Sequence, residues 1–174
     1  METMLWEIYI LAIMNELKSR AGLSTLNKIE LDVLYARGIS KIWNKLNRLK
    51  GIPGFTVAEF GTRRRHSFLW QERVLQIAQE VLGTSLIGTS NVFLAQKYSM
   101  EAIGTNAHEL TMAITALADE GILGCSVQDA PYKVLELWQE MYGELLIFLP
   151  DTYGTTGFFN NAPDFVWDWK GLRV

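Results

Sequence analysis

Four short segments of this chain repeat one plan: an apolar run, a Gly-Thr step or its near equivalent, and then a cluster of polar side chains. The first three are Val57-Ala58-Glu59-Phe60-Gly61-Thr62-Arg63-Arg64-Arg65, Leu86-Ile87-Gly88-Thr89-Ser90-Asn91 and Ala102-Ile103-Gly104-Thr105-Asn106-Ala107-His108-Glu109. The fourth, Leu145 through Phe148 to Thr156, places its carboxylate Asp151 earlier. If each apolar run is a buried strand, the polar residues emerge at its carboxyl end, where α/β proteins and barrels build their sites. The arginine triplet, His108 and Asp151 are then expected to share one rim.

The spacing between these segments predicts helices. Residues Thr3 to Arg20 favour helix, with Gly22 as a stop. Leu31, Leu34, Tyr35, Ile39, Ile42, Trp43 and Leu46 recur at near-helical intervals. Gly51-Ile52-Pro53-Gly54 breaks that pattern and divides a helical region, 1–54, from an alternating strand and helix region, 55–174. Further helices are expected at Ser67 to Leu82, Asn91 to Tyr98, His108 to Asp119 and Tyr132 to Tyr142, with a strand at Leu145 to Leu149. Alternation of this kind implies a parallel sheet or barrel covered by crossover helices. The strands in view are too few to close an eight-stranded barrel, so the chain is expected to be part of a larger fold.

Composition excludes several alternatives. With 174 residues, 49% hydrophobic and 20% charged, the chain is globular and long enough for a substantial core. A formal charge of -3 provides no global field for nucleic acid or an anionic membrane, so an anion needs a local patch. The single Cys125 has no intramolecular disulfide partner, in keeping with a reducing cytoplasm. Glu2, Glu7 and Glu16 argue against a signal or spanning segment in the apolar stretch from Leu5 to Leu17, which reads as a buried helix. No P-loop, dinucleotide-binding glycine motif or Cys/His metal constellation is present.

Phe60-Gly61-Thr62-Arg63-Arg64-Arg65, Gly88-Thr89-Ser90-Asn91 and Gly104-Thr105-x-Ala107-His108-Glu109, in that order, resemble the central motifs of nicotinate phosphoribosyltransferases. Leu5-Trp6-Glu7 and Asp151-Thr152 also fit that family, so the resemblance runs over nearly the whole chain. It implies part of a TIM-like α/β barrel of the phosphoribosyltransferase type, preceded by helices of the amino-terminal region. It also implies a truncated chain, because members of the family are longer at both ends, and doubtful activity in isolation. The implied reaction joins nicotinate to 5-phosphoribosyl 1-pyrophosphate in NAD biosynthesis, coupled to ATP hydrolysis, with Mg2+ arriving on the polyphosphates. The family commonly works as a homodimer.

Each candidate residue has a structural reading beside the functional one. Arginine suits carboxylate and phosphate because its planar fork donates two parallel hydrogen bonds. By resemblance Arg63, with Arg65, would hold nicotinate or the phosphoribosyl donor; otherwise the triplet is a solvated turn or pairs with Glu59 and Glu72. Three consecutive side chains cannot all point inward, so at least one is expected in a structural ion pair. Thr89 and Ser90 are substrate-binding candidates, while Asn91 reads as a helix cap. Nicotinamide-using relatives carry an aspartate where this chain has Ser90, and an uncharged side chain avoids repelling the carboxylate of nicotinate.

His108 matches the histidine that becomes phosphorylated in this family. Such a role needs a neutral imidazole nitrogen for attack and a partner to orient the other. Asp151 is the preferred orienting carboxylate and Glu109 the weaker one, since neighbouring side chains on a helix diverge. His66 reads as structural or peripheral. Trp6, Trp43, Trp70 and Trp138 read as core, and Trp167 and Trp169, near Asp164 and Asp168, as facing further parts of the protein. Two other functions remain open: a nicotinamide-using enzyme, and a non-catalytic anion-binding or assembly module. Nucleic-acid binding through Arg63 to His66 rests on one short patch.

Overall fold

The computed structural model describes residues 2–143 and 145–173; Met1, Glu144 and Val174 lie outside the described residues. The chain forms two compact units, 1–103 and 104–174. Both are mixed α/β, rich in helix, with small parallel sheets.

In the first unit, α1 (Glu2–Leu23) and α2 (Lys28–Lys50) precede three short strands, β1 (Val57–Glu59), β2 (Leu86–Thr89) and β3 (Glu101–Ala102), joined by α3 (Phe68–Leu82) and α4 (Val92–Tyr98). The strands lie side by side in sequence order, all parallel, and each crossover is a helix. A capping box starts α2, with Asn27 and Glu30 satisfying each other's backbone N–H groups. The break at 51–54 therefore falls within this unit, between α2 and β1. Its core is formed by Leu46 of α2, Leu75, Ile77, Ala78, Val81 and Leu82 of α3, Leu86 of β2 and Leu94 of α4. Trp70 reaches from α3 onto α2 at Gly38, where a Cβ would approach its ring to 2.9 Å.

Two glycines of the repeated Gly-Thr plan have a spatial cause. At Gly88 an added Cβ would collide with the Glu101 backbone oxygen across the β2–β3 pair, and at Gly61 it would come within 2.6 Å of the Glu59 carboxylate. A side chain at either place would push apart the strands or the turn that the following polar residues depend on.

Two expectations need correction. The first helix runs through Gly22 to Leu23, and it is not buried: Trp6 is 61% exposed, and Tyr9, Ile13, Met14 and Leu17 are exposed with it. Its apolar residues surround the helix instead of forming one stripe, so packing against the turn at 62–64 leaves most of them uncovered; Ala12 is buried. Trp43 is likewise 44% exposed, although it lies one turn from the buried Leu46 on α2.

The second unit contains α5 (His108–Asp119), α6 (Ala130–Tyr142), β4 (Ile147–Phe148), α7 (Thr155–Asn160) and β5 (Gly171–Leu172), with β4 and β5 parallel. Tyr132, Leu135, Phe148, Phe158, Val166 and Trp169 make its larger core cluster. The Phe148 and Phe158 rings stack at 5.6 Å and Trp169 meets Phe148 edge-on at 6.0 Å. Trp169 is thus core, whereas Trp167 is exposed and stacks on Phe159. The buried Tyr132 hydroxyl donates to the Phe158 carbonyl at 2.6 Å, and burial, assisted by Asp129, pushes its ionisation upward. Among the described residues no helix is long and apolar enough to cross a membrane.

Leu75 has no exposed surface and Trp6 is mostly exposed. Leu75→Ala is expected to lower the stability of the first unit by about 2–5 kcal/mol through the lost contacts and the cavity left behind. Trp6→Ala should change it by no more than about 0.5 kcal/mol. Urea unfolding of the two variants measures both.

Candidate functional site

In the first unit the carboxyl ends of β1 and β2 are tied to α3 by a buried polar network centred on Gln71. This residue lies on the apolar stripe of α3 with Leu75, Ala78 and Leu82, and only 3% of its surface is exposed. Its Nε2 donates to Glu59 Oε2 and to Thr62 Oγ1, both at 2.9 Å. Its Oε1 accepts from Arg65 Nη1 at 3.3 Å and from Asn91 Nδ2 at 3.2 Å. The partners fix the amide orientation, because a carboxylate only accepts and a guanidinium only donates. Glu59 also accepts from the Thr89 hydroxyl at 2.8 Å and from the Gly61 backbone N–H.

The arginine turn is a single 3-10 turn, Thr62–Arg64, held from the other side by α1. Arg63 Nη1 donates to Glu7 at 2.8 Å, and Asn15 Nδ2 donates to the Arg63 carbonyl at 2.9 Å. The structural ion pair expected of the triplet is therefore made by Arg63, with Glu7 and not with Glu59 or Glu72; Glu72 pairs with Lys97. Arg64 is exposed. Arg65 is half-buried, with its guanidinium carbon 5.2 Å from the centre of the Phe68 ring.

The Thr89 side chain is fully buried, and its hydroxyl both donates to Glu59 and accepts from the Asn91 N–H at 3.1 Å. Ser90, next to it, is half-buried; its backbone N–H extends the β1–β2 pairing by donating to the Glu59 carbonyl, and its hydroxyl has no hydrogen-bond partner among the described residues. Asn91 caps α4 through an acceptor bond from the Leu94 N–H. His66 sits between Tyr35, whose hydroxyl is 3.4 Å from Nε2, and Trp70.

The second unit holds the other candidates. His108 opens α5, and its Nδ1 is 3.0 Å from the Thr152 hydroxyl. Asp151 Oδ1 stands 3.8 Å from Nε2, beyond hydrogen-bond range. Glu109 lies in the first turn of α5, where a negative charge complements the helix dipole. The preceding loop is fastened by Arg173, which donates to Thr105 Oγ1 at 3.1 Å and to the Asn106 carbonyl at 3.4 Å. Arg63, Arg65, Thr89 and Ser90 thus belong to the first unit, and His108, Glu109 and Asp151 to the second. Among the described residues no three His, Cys, Asp or Glu side chains gather as a metal-binding set.

Sequence reasoning missed Gln71 and Thr152 as partners. The signal for Gln71 was a polar residue on the core stripe of a helix, which needs hydrogen-bond partners if it is to be buried. Thr152 carried no such mark, since nothing in an Asp-Thr pair tells which side chain will face a distant histidine.

The chain matches the nicotinate phosphoribosyltransferase (NAPRTase) family model over residues 55–174. It resembles the crystal structure of nicotinate phosphoribosyltransferase from Porphyromonas gingivalis with 32% identity and a TM-score of 0.65, covering 91% of this chain and 37% of that one. The enzyme of the same name from Vibrio cholerae gives 30% identity and a TM-score of 0.71, over 98% of this chain and 39% of its own. A putative nicotinate phosphoribosyltransferase from Saccharomyces cerevisiae gives 26% identity and 0.65, over 98% and 40%. The chain therefore spans well under half the length of these proteins.

The start of α3 carries a pH signature. Glu16 accepts from the Phe68 N–H at 3.1 Å and pairs with Arg20, and these contacts, the backbone bond foremost, hold its carboxyl below the usual range. A lowered folded-state value means that this stabilisation is complete above the unfolded value of about 4.5 and is lost as pH falls through the folded one. Glu16→Gln should remove that acid-sensitive part, on the order of 1 kcal/mol or less. Urea midpoints of the two proteins should differ at neutral pH and converge as the pH falls below the range in which the folded carboxyl titrates.

Proposed function

Since the chain belongs to the nicotinate phosphoribosyltransferase family, we propose that it forms the nicotinate- and donor-handling segment of an enzyme that makes nicotinate mononucleotide for NAD biosynthesis. The observation that carries this reading is the family match over 55–174, which includes the arginine turn, the Gly-Thr-Ser segment and the His108 helix. In the reaction the pyridine nitrogen of nicotinate bonds to the anomeric carbon of 5-phosphoribosyl 1-pyrophosphate as the bond to pyrophosphate breaks. Catalysis is then positioning together with stabilisation of the departing charge.

Within this reading the strands belong to a TIM-like barrel completed by other parts of a homodimeric, cytoplasmic enzyme. Arg63 and Arg65 supply positive charge for anionic substrate groups, with Glu7 and Gln71 holding them. Ser90 presents an uncharged hydroxyl at the place where a carboxylate would repel nicotinate. Thr89 contributes from beneath, by fixing the loop. Nucleic acid and membranes have no part in the function.

ATP is the coupling substrate, and magnesium supplies charge neutralisation on its polyphosphate and on the phosphoribosyl donor. His108 is the phosphate acceptor. The Thr152 hydroxyl, 3.0 Å from Nδ1, orients the ring, and in the tautomer where it accepts from Nδ1–H the Nε2 lone pair is available for attack. Asp151, on the Nε2 side, stabilises the ring as positive charge develops, and Glu109 adds negative charge to the same helix start.

Calorimetric titration tests the substrate assignment: the chain should bind nicotinate at least about tenfold more tightly than nicotinamide, and Ser90→Asp should abolish that preference by adding a like charge. Equal binding of both ligands by the unmutated chain would overturn the reading. Because the chain covers 37–40% of its relatives' lengths, it should show little mononucleotide synthesis alone. In an enzyme of those relatives' length carrying these residues, γ-labelled ATP should leave an acid-labile, base-stable label that His108→Ala abolishes. Thr152→Val should slow labelling more than Asp151→Asn, since it removes the hydrogen bond that orients the ring. Label persisting in His108→Ala would place the phosphate elsewhere.

A further inference from the structure

The three arginines of the turn differ in how their charge is met. Arg63 is balanced by the Glu7 carboxylate at 2.8 Å, and Arg64 is exposed. Arg65 lies against the Phe68 ring, its Nε is sealed from solvent without a hydrogen-bond partner, and its Nη1 donates to the neutral Oε1 of Gln71. Among the described residues no carboxylate forms an ion pair with Arg65. Glu16, whose ionisation Arg65 weakly assists, directs its oxygens to the Phe68 N–H and to Arg20.

We infer that Gln71 is a positioning residue that aims the Arg65 guanidinium without neutralising it, making Arg65 a fixed, uncompensated cation for a phosphate or pyrophosphate group. The inference rests on the proposed reading that the arginine turn serves the phosphoribosyl donor, and it separates Arg63, whose charge is shared with a carboxylate, from Arg65, whose charge is not. An amide is needed at position 71 because the two sides of the network make opposite demands. Toward Glu59 the side chain must donate; toward Arg65 and Asn91 it must accept. A carboxylate would accept from Arg65 but would meet Glu59 with a like charge, and an apolar side chain would leave buried polar groups without partners.

A neutral acceptor leaves Arg65 its full charge toward a ligand, whereas an ion pair would offset most of it at short range. The neighbouring Phe68 ring, 5.2 Å from the guanidinium carbon, packs against the side chain without taking a hydrogen bond, so the N–H groups not used by Gln71 or sealed from solvent stay available for phosphate oxygens. The entropy of ordering a long side chain is then spent during folding, not on binding.

The double exchange Glu59→Gln with Gln71→Glu tests this by moving one negative charge from Glu59 to the side chain that touches Arg65, with side-chain sizes and formal charge conserved. Isothermal titration of the 174-residue chain with inorganic pyrophosphate should give measurable binding for the unmutated protein and at least about tenfold weaker binding for the double exchange. Its thermal midpoint should stay close to that of the unmutated chain, which a merely structural role for Gln71 would not separate from affinity. Arg65→Met should weaken binding to a similar degree. Should the double exchange fail to fold, Gln71→Met removes the aim without adding charge and is expected to weaken binding about threefold. Unchanged affinity in whichever of these variants folds, or no pyrophosphate binding by the unmutated chain, would overturn the inference. Pyrophosphate binding that follows this pattern in a chain that ignores nicotinate would leave the inference standing and refute the substrate reading.

Discussion

A single buried amide holds the first unit's polar loops in register. Gln71 sits where an apolar residue is normally required, and its cost of desolvation is offset only because both donor hydrogens and both acceptor sites are used. Through those four bonds α3 fastens the end of β1 at Glu59, the 3-10 turn at Thr62, the arginine run at Arg65 and the β2–α4 junction at Asn91. Glu59 then adds Thr89 and the Gly61 backbone to the same set. Each of these groups would be free to move on a short loop; bonded to a helix buried in the core, they inherit its rigidity. Buried polar networks are worth most when every member is satisfied, and this one is nearly so.

The second unit uses a lighter version of the same device. His108 is fixed at the first residue of a twelve-residue helix by one hydroxyl, that of Thr152, on the loop after β4. The loop in turn is anchored by a dense aromatic core, in which Phe148 contacts Phe158, Phe159 and Trp169. Arg173, immediately after β5, secures the segment leading into α5. A parallel strand pair and two loops therefore define the surroundings of one imidazole, with a carboxylate on its opposite nitrogen side.

Much of this was legible in the sequence, and the reasons are specific. The helices expected from Ser67, Asn91 and His108 form at 68–82, 92–98 and 108–119, with Asn91 as the expected cap, and the parallel alternation follows from the repeated apolar run and Gly-Thr step. Burial of long apolar segments was less legible. Trp6 and Trp43 sit at helical intervals among other apolar residues, yet periodicity tells which residues share a face, not whether anything covers that face. The short β5 and α7 escaped because two to six residues carry too little pattern, and because their places are set by aromatic packing far along the chain. The partners of the candidate residues were the least legible part: Glu7 and Arg63 are separated by 56 positions, and His108 and Thr152 by 44.

If the Gln71 amide is the fixed point of the first unit, its side-chain protons should exchange with solvent only when α3 opens. Amide hydrogen exchange followed by nuclear magnetic resonance on the labelled chain measures this directly. The account predicts that the Gln71 carboxamide protons are protected to a degree comparable with the backbone amides around Leu75, and that Glu59→Ala strips this protection while those backbone amides keep theirs. Gln71 protons that exchange as fast as those of an exposed side chain such as Gln79 would contradict it.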